Sequence, residues 1–307
     1  MQPSDSTQVR STAAAIAADI SRLIRPRIAL MVLATVVASM WLTAGHAVGG
    51  PSLLWLLVGT TLVAASSSIA NQILERDADR LMPRTARRPI AAGRLSVPAA
   101  TMVATLLVAV GGLMITLSSG WQPAVAALAT WVLYVAIYTP MKMLSPLNTA
   151  VGAVSGALPV AIGWLAADGP QRLAAGDAAG ALAVAALATV LYLWQFPHFM
   201  AIAWLYRGQY AAAGMRMLTV DDPSGLRAAG QALAASLAMV PVSLVLAVPS
   251  GSIRLFLAAA IASLVYAVAT VGFAVRRDDA SARTLLFTSL GSLLALLTAS
   301  VMFGPPA

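Results

Sequence analysis

The chain has 307 residues, of which 60% are apolar and 10% charged, and its mean hydropathy is +0.84. A soluble domain carries about a quarter charged residues because its surface faces water, so 19 basic and 11 acidic residues are too few to coat a globule of this length. So apolar a chain is not disordered either. Cysteine is absent, which excludes disulfides, thiolate metal sites and a cysteine nucleophile. What remains is an all-α integral membrane protein.

A bilayer-spanning helix needs roughly 20 mostly apolar residues. Charged residues leave seven uncharged windows, 28–74, 95–141, 143–167, 178–206, 228–253, 255–275 and 284–307. The first two are long enough for two spans each. Turn chemistry divides them at Gly45–Pro51 and at Ser118–Pro123. Nine spans are therefore expected, near 28–45, 52–74, 97–117, 123–141, 148–167, 178–203, 230–249, 254–275 and 284–303. Residues 1–27 form an N-terminal segment, with 9–24 suited to an interfacial helix; 28–303 is one domain, and 304–307 a short tail. No small-residue cleavage site follows the first span, so residues 1–27 do not read as a signal peptide.

Basic residues sort by loop. The N-terminal segment holds Arg10, Arg22, Arg25 and Arg27, and the second-to-third connection holds Arg76, Arg80, Arg84, Arg87, Arg88 and Arg94. Lys142, the single lysine, follows span 4; Arg207, Arg216 and Arg227 follow span 6; Arg276, Arg277 and Arg283 follow span 8. Only Arg172 and Arg254 fall on the other side. Positive residues favour the cytoplasmic face, so the N-terminus is expected in the cytoplasm and the C-terminus outside. The net charge of +8 then needs no nucleic acid to explain it. The absence of an evident transit peptide points to a bacterial plasma membrane.

In so apolar a chain the polar residues carry information. Asn71, Glu75 and Asp79 stand at i, i+4 and i+8 at the end of span 2. Were the helix to continue, they would share one face with a drift of about 40°, and Asp77 would point the opposite way. Oxygen ligands so spaced suit Mg²⁺, which takes few carboxylates and shares its shell with water and substrate phosphates. Arg84, Arg87 and Arg88 follow at once, and guanidinium forks suit phosphate oxygens. Acids for a metal beside arginines for phosphate point to a diphosphate. The competing reading is a helix end rich in charge because it has reached water.

Two further gatherings lie at the same side. Tyr138-Thr-Pro-Met-Lys142-Met-Leu-Ser-Pro-Leu-Asn148 follows span 4, and its lysine is either a topology signal or a diphosphate contact. Trp194-Gln195-Phe-Pro-His198-Phe ends span 6 and runs on to Tyr206, Arg207, Gln209 and Tyr210. His198 follows Pro197, where a kink is expected to open backbone carbonyls. It is either a packed, hydrogen-bonded residue or a functional one. With only His46 besides, a protein-only histidine metal cage is excluded.

These three stretches resemble the UbiA superfamily of intramembrane prenyltransferases, most closely its heme-farnesylating branch. The resemblance rests on Asn71, Glu75, Asp79, Met82, Arg84, Thr85, Arg88 and Gly93. It rests also on the YTPxK…SPLN stretch with Gly152, Gly156, Pro159, Gly163 and Trp164 after it, and on the run from Trp194 to Leu218. It covers most of the chain. It implies a UbiA-type bundle of nine helices, farnesyl diphosphate as donor and protoheme as acceptor. It also implies Mg²⁺ on Asn71, Glu75 and Asp79, and catalytic work by Arg84, Arg88, Lys142 and His198. Tyr138, Asn148, Trp194, Gln195, Tyr206 and Arg207 are placed in the same site by the resemblance. The expected partners are the two substrates, the lipid bilayer, and the next heme-modifying enzyme or an oxidase assembly factor. Two positions depart from the family pattern. Glu75 stands where Asp is usual, and Gln209 stands before Tyr210 where the second motif ordinarily has an acid; Asp221 and Asp222 are the acids nearest to replace it, although a helix cap is the expected role of at least one. Three alternatives stay open: an aromatic quinone-precursor acceptor, a weakened heme-binding homologue, and a secondary transporter. The last is disfavoured because every acid lies near a span end rather than at the midplane.

Overall fold

The computed structural model describes residues 5–45 and 49–304, and within them every regular element is a helix. In chain order these are α1 (Asp5–Ile24), α2 (Pro26–Ala44), α3 (Pro51–Leu74), the short α4 (Arg76–Leu81), α5 (Val97–Ser119), α6 (Trp121–Leu144) and α7 (Asn148–Ala166). Then follow the short α8 (Gly169–Ala174), α9 (Ala178–Leu205), the short α10 (Arg207–Ala212) and α11 (Leu218–Asp221), and finally α12 (Leu226–Val245), α13 (Ile253–Arg276) and α14 (Asp279–Phe303). Nine of these, α2, α3, α5, α6, α7, α9, α12, α13 and α14, are long and apolar enough to cross a membrane. They match the nine spans expected from the charge pattern. Residues 46–48 of the expected Gly45–Pro51 turn, residues 1–4, and 305–307 of the tail lie outside the described residues.

The helix starts have local causes. Pro26 and Pro51 take the first turn of α2 and α3, where a missing N–H costs nothing. Ser96, Asp177 and Ser252 cap α5, α9 and α13 through their side chains, and Asp278 with Ser281 forms a capping box on α14. The seventh span sits four residues earlier than expected, because Gly225 (φ +71°) turns the chain straight into α12.

Each spanning helix packs on the next in sequence, and α14 returns against α2, closing a ring. α9 also touches α2 and α14, and 56% of its membrane window is buried, against 22% for α5 and 17% for α6. α9 is thus the inner helix, while α5 and α6 form the lipid-facing wall. Close helix approach depends on Gly59 and Gly111. A methyl on Gly111 would come within 2.6 Å of the Gly59 carbonyl oxygen, and one on Gly59 within 2.8 Å of the Gly111 carbonyl oxygen. Contact of this kind replaces the hydrophobic drive that lipid cannot supply. Ser66 adds a hydrogen bond to the Ala104 carbonyl (2.7 Å) and accepts one from Trp131 Nε1 (3.0 Å), tying α3 to α5 and α6.

Three helices depart from the expected regularity. α3 stops at Leu74, and Glu75 (φ −91°, ψ 1°) separates it from α4. The Glu75 N–H still donates to Asn71 O (2.9 Å) and the Asp79 N–H to Glu75 O (2.7 Å), so the helical register survives the break. α6 contains a wide turn over Leu133–Tyr138, where the Thr139 N–H reaches back five residues to Tyr134 O. α9 does the opposite of what was expected. It runs as one helix through Pro197, because the surrounding helices hold it on every side.

Candidate active site

The register through Glu75 decides the site. Asn71 and Asp79 are fully buried and Glu75 nearly so, while the Asp77 side chain is 72% exposed and pairs outward with Arg76 and Arg80. The three-residue face is therefore real and turned inward. Two cations meet it. Lys142 Nζ of α6 lies 2.6 Å from Glu75 Oε1, and Arg88 Nη1 lies 2.7 and 2.6 Å from the two Asp79 oxygens and 3.5 Å from Glu75 Oε2. Lys142 also stands over the Tyr138 ring, 4.4 Å from its centroid. Asn71 Nδ2 donates to Thr139 Oγ1 (3.1 Å), which leaves the amide oxygen Oδ1 buried without a partner among the described residues.

The connection after α4 is a folded strap. Thr85 Oγ1 donates to Asp79 O (3.1 Å), Arg80 Nε donates to Ala91 O (3.0 Å), and Met82, Ile90 and Ala91 are buried. Met82 packs among Ala203, Tyr210, Ala213, Met215 and Met217, which brings the second motif against the first. Arg84 completes the junction. Its guanidinium lies 4.6 Å from the Tyr206 ring centroid and its Nη2 donates to Tyr210 Oη (3.4 Å). The third connection joins in as well: the Arg216 N–H donates to Lys142 O (2.7 Å), and Asn148 Nδ2 donates to Ser145 O and Arg216 O.

Charge sets the state of the acids. Burial works to raise the Glu75 carboxyl, but Lys142 outweighs it, with Arg88 and Arg25 further off, and the group is held below its ordinary value. For Asp79 burial wins, with repulsion from Glu75 adding to it, and its carboxyl is raised despite Arg88. The donor set tests well against a magnesium ion. Two carboxylates and a partnerless amide oxygen on one face are hard oxygen ligands, and Mg²⁺ shares its shell with water and substrate phosphate. Among the described residues no cluster of three His, Cys, Asp or Glu side chains forms, so a protein-only cage is not offered.

The structure brings Asn71, Glu75, Asp79, Arg84, Arg88, Lys142, Tyr138 and Tyr206 together at one end of the bundle. Others of the expected site residues are held elsewhere. Arg207 pairs with Asp279 (2.9 Å) and stacks on Trp204, and Asn148 fastens loops together. Gln195 donates to Ala153 O (3.0 Å) and fills the space left by Gly156, while Trp194 Nε1 donates to Ser289 O (2.7 Å). His198 stacks on Trp194, with centroids 4.6 Å apart, and its Nδ1 is 2.7 Å from Ser289 Oγ. The Ser289 hydroxyl proton is committed to Leu286 O (2.6 Å). Nδ1 must therefore be the donor, which leaves Nε2 a free acceptor. Asp221 pairs with Arg216, and Asp222 accepts from Ser224 and from the Arg227 N–H, closing the turn into α12 as a cap does. Gln209 Oε1 is buried and partnerless. Sequence reasoning missed Thr139, Tyr210 and Arg25, of which only the two ring or hydroxyl residues stand inside stretches it had singled out.

The fold class is that of the UbiA homologues. A digeranylgeranylglyceryl phosphate synthase superposes with a TM-score of 0.75 at 13% identity, covering 93% of this chain and 97% of that one. A UbiA homologue from Archaeoglobus fulgidus bound to GPP and Mg²⁺ superposes with a TM-score of 0.64 at 16% identity, covering 92% and 99%. Identities so low carry the architecture alone. Sequence carries the rest: the chain belongs to the UbiA prenyltransferase family, whose model matches residues 32–296. It is 40% identical over 283 residues to the protoheme IX farnesyltransferase of Rhodopirellula baltica, covering 90% of this chain and 96% of that relative. It is also 40% identical over 224 residues to the mitochondrial protoheme IX farnesyltransferase of Arabidopsis thaliana, covering 73% of this chain and 50% of the plant protein.

Proposed function

We propose that this prenyltransferase moves the farnesyl group of farnesyl diphosphate onto a vinyl group of protoheme, with addition of water, to give heme O. The acceptor is supported by the 40% identity to the Rhodopirellula baltica relative across nearly its whole length. The donor is supported by the inward face of Asn71, Glu75 and Asp79 with Lys142, Arg88 and Arg84 around it. These are the groups that a diphosphate and its counter-ion require.

The allylic C–O bond breaks with its electron pair leaving on the diphosphate. The vinyl carbon attacks the allylic cation, and water captures the cation left beside the porphyrin and loses a proton. Asn71, Glu75 and Asp79 would hold Mg²⁺, which supplies charge neutralisation for the departing diphosphate. Lys142 and Arg88 are in contact with the same carboxylates and supply fixed positive charge at that place. Tyr138 and Tyr206 present ring faces to Lys142 and Arg84, which limits how far those cations stray. The spanning helices keep water from the allylic cation. His198, with Nε2 unprotonated, is suited to contact the heme or to take the proton from the captured water. Gln209 offers an amide oxygen where a second acid would stand, so this protein is assigned one metal ion. The basic end of the bundle faces the cytoplasm of a bacterial plasma membrane.

The test uses purified protein with farnesyl diphosphate, Mg²⁺ and protoheme, and extracted hemes analysed by mass. The expected product is heme plus farnesyl plus water. Absence of that adduct, with a folded protein and an active family member run in parallel, refutes the heme acceptor; an adduct on an aromatic quinone precursor instead would reassign it.

A further inference from the structure

Arg25, at the α1–α2 junction, differs from every other basic residue near the site. It has φ +48° and ψ 67°, a left-handed conformation that a non-glycine residue keeps only when its surroundings hold it. The hold is visible. The Arg25 N–H donates to Ser21 O (3.1 Å), and Arg25 O accepts from the Ile28 N–H (2.9 Å). Gln72 Nε2 donates to Arg22 O (3.1 Å) and Leu23 O (3.0 Å), which fixes the junction to α3 directly beside Asn71.

The neighbours of Arg25 have partners. Arg22 and Arg94 share Asp19, Arg88 takes Asp79, and Lys142 takes Glu75. Arg25 has none among the described residues, and its Nη2 is buried. Its charge nevertheless reaches the site. It helps to hold Glu75 down, and after burial it is the next influence that lowers Arg88. A buried guanidinium nitrogen without an acceptor is costly and rare in a native structure. Both site acids are already engaged, so the positive charge of Arg25 is surplus in this state.

We infer that Arg25 is an anion-binding residue of the active site, whose free guanidinium edge takes an anionic oxygen of a bound substrate. The inference rests on the farnesyl-transfer reading for its two sources of that oxygen, the diphosphate of the donor and the carboxylate side chains of the porphyrin. Guanidinium forks suit both.

Full-length Arg25→Gln and Arg25→Lys are compared with the wild type by melting temperature and by titration with two probes, Mg²⁺ plus inorganic pyrophosphate, and protoheme beside its dimethyl ester. Ligand-free Arg25→Gln is expected to melt at or above the wild-type temperature, since an unpaired charge has been removed. Its affinity for one probe is expected to fall about tenfold or more, with partial retention in Arg25→Lys. A loss confined to pyrophosphate assigns the diphosphate. A loss for protoheme but not its dimethyl ester assigns the carboxylate. Unchanged affinities for both overturn the inference and leave the farnesyl-transfer reading standing, as does a lowered melting temperature with unchanged affinities, which would make Arg25 structural. A wild type that binds neither probe removes that reading and this inference together.

Discussion

Asp79→Asn separates what the Asp79–Arg88 pair does for the fold from what it does for the reaction. Asp79 is fully buried and Arg88 is 15% exposed, so the substitution leaves a guanidinium in a low-dielectric site without its main counter-charge. Breaking a buried pair on one side costs about 3–5 kcal/mol. Here Glu75 Oε2, 3.5 Å from Arg88, remains as a partial partner, and asparagine keeps one acceptor oxygen, so the low end of about 3 kcal/mol applies. Adding Arg88→Met removes the stranded charge, and the double variant should recover most of the lost stability. Activity should behave otherwise. Each single variant removes one fixed charge at the departing diphosphate and should lose on the order of a hundredfold or more in turnover, and the double variant should be no better. Thermal melting in detergent gives the first quantity and mass analysis of extracted hemes the second. If the double variant regains turnover along with stability, the pair is structural only and its place in the chemistry is wrong.

Lys142→Met should lower turnover about a hundredfold, with Lys142→Arg recovering part of it, measured at saturating donor; equal rates in Lys142→Met and wild type would return the lysine to a topology role. His198→Ala should leave binding of inorganic pyrophosphate unchanged while impairing use of heme, read as a rise in KM for protoheme or a fall in turnover. Unaltered heme kinetics would make His198 a packing residue for Trp194 and Ser289. Gly111→Ala should destabilise the protein by about 1–3 kcal/mol, because the added methyl meets the Gly59 backbone oxygen rather than a flexible side chain; wild-type melting would show that α3 and α5 separate freely.

The nine spans were legible because charge is so scarce that every cluster of it marks a helix end. The inward face of Asn71, Glu75 and Asp79 was legible too, since helical periodicity alone puts Asp77 on the far side, and the hydrogen bonds across Glu75 preserve that periodicity through a break that sequence does not announce. What sequence cannot give is the choice among partners of like charge. Arg207 and Arg84 both follow span ends and both stand beside aromatics, yet one is drawn to Asp279 and the other to Tyr206 and Tyr210. That depends on where α14 and the strap after α4 come to rest. Pro197 shows the same limit. Its local tendency is to bend a helix, and tertiary packing overrides it.

The wide turn in α6 has a consequence for how the chain tolerates length changes. A helix that reaches back five residues once carries one residue more than a regular helix of the same course, and a single residue is worth about 100° of rotation. Everything beyond Leu133–Tyr138 is phased by that extra residue, including Thr139 against Asn71 and Lys142 against Glu75. Deleting one residue there would straighten the helix while preserving its apolar character, and it would swing both side chains away from α3. The span is thus forgiving of substitution along its lipid face and intolerant of a change in residue number, and any alignment that slides it by one position also misplaces the lysine of the site.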